Sequence, residues 1–559
     1  MTIKHALQEI SHYRNAYALA ISACMGSIIY GWDIGLIGGV LAMSSFQEYF
    51  GIDKKSASEK ADLNGNIVAI LQGGCFFGAL FMSYFPGRYG RKPCLLAAGI
   101  IFLIGSTIQS ITGLGSSQET ALSVLYFSRF LGGIGVGMIS ALVPSYISES
   151  TPRAIRGRCT AMMQLTNNIG IMLSFWINYS AQKDFAVNEM QWRIPFIMQM
   201  VPGVFFVILM IFQPETPRWL VEHKREDEAA RVLAYVARTS PSDPAVQATI
   251  DEIKAEFQGK QELPLWRQFM GMGESWTIAH RCFIPSLVMF FQQWTGTNAI
   301  NYFSPQIFAG LGVTGTTGTL FATGVYGVVK VVAVGIVIWF AVETLGRKKC
   351  LIIGGIGQGL MMLWIGGYSA IHTGTDVDAA SYVSLVAVYL YAVFYCIGWG
   401  PVPWPVAAEV APNHLRTVTL SLAVGVNWLF SFTISKLTPI MLDNITYGTF
   451  LLFGIMCMIM SLWAYVCFPE TKGVALEDVK YLFEKDVMVR ALQDAPGGEV
   501  FIQMFFRGRR AEDVKTLRER DDRSEEQCRE SDVGSIRDDD RKSVRDIEGQ
   551  RSHPAVAPI

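Results

Sequence analysis

Apolar residues in this chain come in long uninterrupted blocks, separated by shorter polar stretches that hold most of the Lys, Arg, Asp and Glu. A helix needs about 20 predominantly apolar residues to cross the hydrocarbon core of a bilayer. Twelve blocks meet that need: 17–41, 64–85, 94–113, 121–147, 160–180 and 193–213, then 281–308, 319–342, 350–371, 382–407, 416–438 and 447–468. A water-soluble helix keeps a polar face, whereas these blocks are apolar all round, so the pattern predicts membrane spans. The first block runs through Leu41 and is too long for the core of a cleavable leader. The expected fold class is an all-α membrane protein of twelve transmembrane helices.

Two polar stretches interrupt the pattern. Residues 214–280 carry helical periodicity with charged faces at 221–238 and 245–258, which predicts a linker with short surface helices. From 474 onward the chain becomes a charged tail. Its 507–551 part holds 13 Lys/Arg and 14 Asp/Glu with few aromatics, as a solvated or disordered segment does. An inert tail is expected, with Ser535 and Ser543 as its phosphorylatable hydroxyls.

Charge orients the spans. The loops after helices 2, 4, 8 and 10 carry Arg88/Arg91/Lys92, Arg153/Arg156/Arg158, Arg347/Lys348/Lys349 and Arg416. The opposite loops carry Lys54, Lys55, Lys60 and Lys183 together with Asp53, Asp62, Asp184, Asp376 and Asp378. By the positive-inside rule the basic loops, the linker and both termini are cytoplasmic. The sequons at Asn178 and Asn444 then fall on the outer side. Composition agrees: only 17% of the 559 residues are charged, where a soluble chain has about 25%. A formal net charge of −1 speaks against a nucleic-acid partner. The 10 Cys form no CxxC pair and read as small core hydrophobes, with no metal site and no cofactor expected.

The chain also repeats itself. Gly90-Arg91-Lys92 recurs as Gly346-Arg347-Lys348. Pro144, Glu149 and Arg153 recur as Pro403, Glu409 and Arg416, and Pro214-Glu215-Thr216 recurs as Pro469-Glu470-Thr471. Gly90 and Gly346, Glu149 and Glu409, and Glu215 and Glu470 lie 256, 260 and 255 residues apart. This predicts two related six-helix halves, 15–213 and 281–473, with a substrate site between them at mid-membrane, exposed alternately by rocking. The repeated acids can accept from the Arg clusters, so Arg91, Glu149, Arg153, Glu215, Arg347, Glu409, Arg416 and Glu470 are expected to form a cytoplasmic gate that breaks on opening. Simple positive-inside anchoring would use the Arg without the Glu.

These landmarks, with Gly31-Trp32-Asp33-Ile34-Gly35, Pro144-Ser145-Tyr146-Ile147-Ser148-Glu149, Pro214-Glu215-Thr216-Pro217-Arg218, Gln292-Gln293-Trp294-Thr295-Gly296-Thr297-Asn298, Gly400-Pro401-Val402-Pro403-Trp404 and Pro469-Glu470-Thr471-Lys472-Gly473, are highly specific as a set. Over residues 15–480 the chain resembles the sugar porter family of the major facilitator superfamily, and Gln292 through Pro305 most resembles fungal quinate- and galacturonate-permease-like members. The resemblance implies the major facilitator fold with a central cavity. Gly87 departs from it, standing where the family usually has an Asp before its basic residues.

Ionisable groups within spans mark pathways or pairs. Asp33 lies midway along the first block and Arg129 in the fourth. Burial favours a neutral carboxyl and a nearby Arg favours an ionised one, so a pair that separates exchanges a proton and a pair that never separates is structural. In proton-coupled members of the family the resembling Asp and Arg have the coupling role. Amides both donate and accept, which suits vicinal hydroxyls, and indoles offer a flat apolar face. The resemblance places substrate contacts at Gln164, Gln292, Gln293, Asn298, Trp404 and Asn427; the alternative for each is an inter-helix hydrogen bond. Tyr302, one turn beyond Asn298, is expected to help close the outer gate. Lys330 sits near the centre of the eighth block, too deep to snorkel easily, and needs an anion: a substrate carboxylate, a protein carboxylate or backbone carbonyls. Lys436, nearer the outer end of its block, is expected to snorkel.

Three functions follow. The leading expectation is a plasma-membrane, proton-coupled symporter for a monosaccharide or sugar acid. A facilitative carrier and a nutrient sensor of the same fold are the alternatives. No nucleophile–base set, metal cluster or phosphate loop appears, so no enzyme is expected; the Gly-rich run Gly132–Gly137 lies within a span and reads as close helix packing.

Overall fold

The computed structural model describes residues 12–498, apart from short stretches of which 258–264, 373–377, 341–344 and 475–478 are the longest. The charged tail at 507–551, with Ser535 and Ser543, lies outside the described residues. The described chain is nearly all helix. The first group comprises α1 (Arg14–Ala42), α2 (Ala57–Phe81), α3 (Arg91–Ser110), α4 (Gln118–Ser150), α5 (Arg153–Asp184), α6 (Glu189–Met198) and α7 (Met200–Phe212). The second comprises α8 (Trp276–Trp294), α9 (Thr297–Gly310), α10 (Thr316–Phe340), α11 (Arg347–Ile371), α12 (Ala379–Ile397), α13 (Pro403–Val410), α14 (Arg416–Asn444) and α15 (Tyr447–Cys467).

Among the described residues ten helical stretches are long and apolar enough to cross a bilayer, with α6 and α7 counting as one. Two of the twelve predicted blocks fall short, for different reasons. Helix α5 is continuous and longer than the 160–180 block, but Gln164, Thr166, Asn167, Asn168 and Asn178 make it polar. The 281–308 block is broken into α8 and α9 at Gly296, whose φ of 85° is left-handed and suits a residue without a Cβ. The 382–407 block likewise divides into α12 and α13, because Gly398-Trp399-Gly400-Pro401 ends the first helix and Pro403 starts the second.

Burial sorts the helices. In α1, 78% of the apolar window is buried inside the protein; in α6–α7 and α15 it is 39%. The outer helices turn large apolar side chains outward one turn apart, such as Ile100 and Ile104 on α3, Leu360 and Trp364 on α11, and Ile455 and Ile459 on α15. A bilayer gives no hydrophobic drive between helices, so small residues that allow close backbone approach supply the packing. Gly133 and Gly137 of α4 abut the carbonyls of Leu71 and Cys75, and Gly74 and Gly78 of α2 abut those of Phe130 and Ile134. A Cβ at any of the four would overlap a carbonyl oxygen. This reciprocal seam is the packing role of the Gly-rich run.

The described residues of the linker hold four helices: Pro217–Glu222, Glu226–Ala237, Pro244–Phe257 and Leu265–Gly271. Glu226–Ala237 and Pro244–Phe257 fall in the two expected stretches, the first starting late because the chain turns at His223–Arg225, where Lys224 has a φ of 59°. Trp219, Leu220, Val221, Ala229, Ala230, Val246 and Ile250 give these helices a small apolar core of their own.

Candidate translocation site

On the face carrying the basic loops, the sequence repeat is a structural repeat. Gly90 and Gly346, with φ of 97° and 87°, lead into α3 and α11. The Glu215 carboxylate accepts the Arg91 and Lys92 amides, both at 3.0 Å, and Glu470 accepts those of Arg347 and Lys348 at 2.8 and 3.1 Å. A carboxylate at a helix N-terminus meets unpaired N–H groups and the positive end of the dipole. Burial raises the pKa of Glu215, against three backbone N–H bonds that lower it. The Arg side chains turn to the other acids: Arg91 Nε lies 3.0 Å from Glu149 Oε2, and Arg347 Nη2 lies 2.9 Å from Glu409 Oε1. Two corrections follow for the expected gate. Glu215 and Glu470 cap helices with backbone bonds, because the turn after Gly90 and Gly346 points amides at them. The two Arg–Glu pairs each join helices of one group, so each fastens its own group together. Arg416 opens α14, and Arg153 opens α5, with its side chain outside the described residues.

Each group buries a polar cluster, and Tyr302 links the two groups through Gln72. Asp33 on α1 and Arg129 on α4 are both buried, with Arg129 Nη1 3.9 Å from Asp33 Oδ1. Arg129 Nε donates to the Ile67 carbonyl at 2.7 Å, which the glycine seam brings within reach. Asp33 Oδ1 and both Arg129 terminal nitrogens have no hydrogen bond among the described residues, so the pair is charge against charge without a bonded fork.

Four of the six expected substrate contacts converge. Gln292 donates to the carbonyls of Trp399 and Gly400 at 2.9 and 3.1 Å, and its oxygen accepts from Asn427 at 2.9 Å. Asn298 donates to Gln293 Oε1 at 2.6 Å and to Ser431 Oγ at 3.0 Å. The breaks at Gly296 and Gly398–Gly400 are what put these amides and free carbonyls at one level. Gln164 on α5 is half-buried, and no hydrogen bond ties it to this cluster among the described residues. Trp404 is also half-buried; it packs between the apolar cluster of the first group and the small cluster of Met289, Ala407 and Ala423.

Tyr302 crosses between the groups: its hydroxyl lies 2.7 Å from the Gln72 amide of α2, and its carbonyl abuts Gly38 of α1. Lys330 is buried with its ammonium 3.3 Å from Asn301 Oδ1. Lys436 is half-buried, and its ammonium reaches the exposed Asp62 and the half-buried Asn66 near the outer end of α2. Asn178 is fully buried and donates to the Gly35 and Leu36 carbonyls, so it is no glycosylation acceptor in this fold, whereas Asn444 is exposed.

The family profile described as "Sugar (and other) transporter" matches residues 19–483. The chain belongs to that family. The sugar transporter is 35% identical over 486 residues to a "Probable quinate permease" of Aspergillus fumigatus, covering 85% of this chain and 88% of the relative. It is 34% identical over 492 residues to the "Quinate permease" of Emericella nidulans, covering 86% and 90%. Among solved structures it is similar to the proton:xylose symporter XylE bound to 6-bromo-6-deoxy-D-glucose, with a TM-score of 0.72, 26% identity, and 85% of this chain and 100% of the other covered. A partially occluded inward-open XylE from E. coli gives 0.70 at 25% identity, with 83% and 100% covered. The transporter therefore has the major facilitator fold and is a multi-pass membrane protein.

Sequence reasoning missed Gln72, Ser431 and Asn301, and the pairing of Lys436 with Asp62. Gln72 carried the same signal as Gln164, an amide inside an apolar block. Ser431 and Asn301 carried no signal above the many hydroxyls and amides of neighbouring spans.

Proposed function

We propose that this sugar transporter is a proton-coupled symporter of the plasma membrane, importing a monosaccharide or sugar acid such as a hexose, a pentose, galacturonate or quinate. Both termini and the basic loops are cytoplasmic, and 15–213 rocks against 281–473. The observation that carries the coupling is the Asp33–Arg129 pair, buried between α1 and α4 without a hydrogen bond to lock it. A pair of that kind can part and take up a proton without first breaking a hydrogen bond between its members. The amides of Gln292, Gln293, Asn298 and Asn427, now bonded as the pairs Gln292–Asn427 and Gln293–Asn298, are the groups a polyhydroxy solute would engage, with Gln164 and Trp404 flanking. The names of the quinate permeases and of the proton:xylose symporter support the solute class and the coupling.

The test is purified transporter in proteoliposomes. Addition of solute outside is expected to alkalinise the external medium and to drive uphill accumulation under an inward proton gradient. Uptake without alkalinisation would assign the facilitative carrier, and solute binding without uptake would assign the sensor.

A further inference from the structure

Among the described residues two lysines are fully buried, Lys330 and Lys348, and Lys436 is half-buried within a span. Lys348 donates to the carbonyls of Tyr465 and Ala491, and Lys436 meets Asp62 and Asn66. Lys330, at mid-length of α10, is only 1% exposed, and among the described residues no carboxylate lies within 4 Å of it. The acceptor the described residues give it is Asn301 Oδ1, at 3.3 Å. An ammonium has three donors and is costly to bury without an anion.

The groups around it are neutral: two aromatic rings and three hydroxyls, with no anion among them. Its ammonium lies 5.7 Å from the ring centre of Tyr326 and 5.4 Å from that of Tyr395. The Thr297 hydroxyl, one turn before Asn301 on α9, lies beside the hydroxyls of both tyrosines. Among the described residues the buried hydroxyls of Tyr326 and Thr297 make no hydrogen bond of good geometry, each having only neighbouring hydroxyls beside it. One end of the polar cluster of the second group thus holds an ammonium and several hydroxyls but, among the described residues, no negative charge. That end is continuous with the amide cluster: the Tyr395 ring abuts Gly400, whose carbonyl accepts from Gln292, and Thr297 and Asn298 are adjacent on α9.

We infer that Lys330, with Thr297 and Tyr326, forms a carboxylate-binding corner of the translocation site, and that the preferred solute is a polyhydroxy acid, not a neutral sugar. The carboxylate of the solute accepts from the ammonium and one or both hydroxyls. Its hydroxyls meet Gln292, Gln293, Asn298 and Asn427. Charge compensation is what the corner lacks, and a neutral hydroxyl cannot supply it. The inference rests on the transport reading above.

Galacturonate and galactose differ at one carbon, a carboxylate against a hydroxymethyl, and make the test. Binding to full-length purified transporter is measured by calorimetry for both. The wild type is expected to bind galacturonate about tenfold or more tightly over galactose, a difference of about 1.4 kcal/mol. Lys330→Met is expected to bring the ratio to about one, and Lys330→Arg to keep most of it. A wild-type ratio near one, or an unchanged ratio in Lys330→Met, overturns the corner. Size-exclusion profiles identify a Met variant that fails to fold, in which case the wild-type ratio and the Arg variant decide. Proteoliposomes separate the two claims. Accumulation of galactose with indifference to galacturonate leaves transport standing and sinks the corner; galacturonate binding with no uptake of either supports the corner and sinks transport.

Discussion

The Asp33–Arg129 pair has an energy that can be worked from its geometry. Two unit charges 3.9 Å apart interact by about 4 kcal/mol at an effective dielectric of about 20. Replacing Asp33 by Asn removes one charge and leaves Arg129 buried, held by a single bond from Nε to the Ile67 carbonyl. Breaking a buried pair on one side costs about 3–5 kcal/mol, because the remaining charge is uncompensated. The two routes agree at about 4 kcal/mol. Removing both charges relieves that penalty, so Asp33→Asn/Arg129→Gln is expected to recover most of the loss. The assay is a double-mutant cycle on thermal unfolding of the detergent-purified protein, run beside uphill uptake in proteoliposomes. Both single variants are expected to be destabilised and to lose uphill accumulation, while the double variant regains stability and not coupling. A cycle energy below about 1 kcal/mol would refute the ion-pair reasoning. Undiminished uphill uptake by Asp33→Asn would refute the coupling role.

Other perturbations have equally definite outcomes. Lys436→Met removes a tie between α14 and α2 that is partly exposed and worth about 1 kcal/mol or less, so the population open on the face away from the basic loops rises up to about fivefold, read by distance distributions between spin labels; an unmoved distribution ends the idea that this tie holds the face shut. Glu215→Ala and Glu470→Ala each unpair two helix-terminal amides, and each is expected to cost about 1–2 kcal/mol in unfolding with near-equal size, since the two turns are alike; a large effect in one and none in the other contradicts the duplication. Gly137→Ala puts a methyl onto the Cys75 carbonyl and is expected to cost about 1–3 kcal/mol and to weaken coupling by shifting Arg129, whereas a neutral result in both readouts means the seam relaxes freely.

Much of this was legible along the chain. Membrane spans follow from hydropathy because a bilayer is a uniform solvent that each helix answers separately. The duplication was legible because a turn such as Gly-Arg-Lys with a distant Glu must be spelled with the same residue types wherever it is built. The candidate groups Asp33, Arg129, Lys330 and the amides stood out because ionised or amide side chains are rare in apolar blocks. The break at Gly296 left a trace too, as a glycine inside a span.

What a polar residue does there was not legible, since it depends on what faces it from another helix. For Lys330 and Lys436 the sequence showed depth but not partners; one faces Asn301 and two tyrosines, the other Asp62. Asn178 reads as a sequon and turns out to be a buried tie between α5 and α1. Glu215 and Glu470 read as partners of arginines, yet the turn geometry gives them backbone amides. The sequence by itself determined which segments enter the membrane, how often the plan is repeated and which chemical groups are taken inside, because those follow from local composition. Only the tertiary structure decided which groups meet, because hydrogen bonds and ion pairs act over a few ångströms and helix packing, set by seams such as Gly133 and Gly137 against Leu71 and Cys75, chooses which residues come that close.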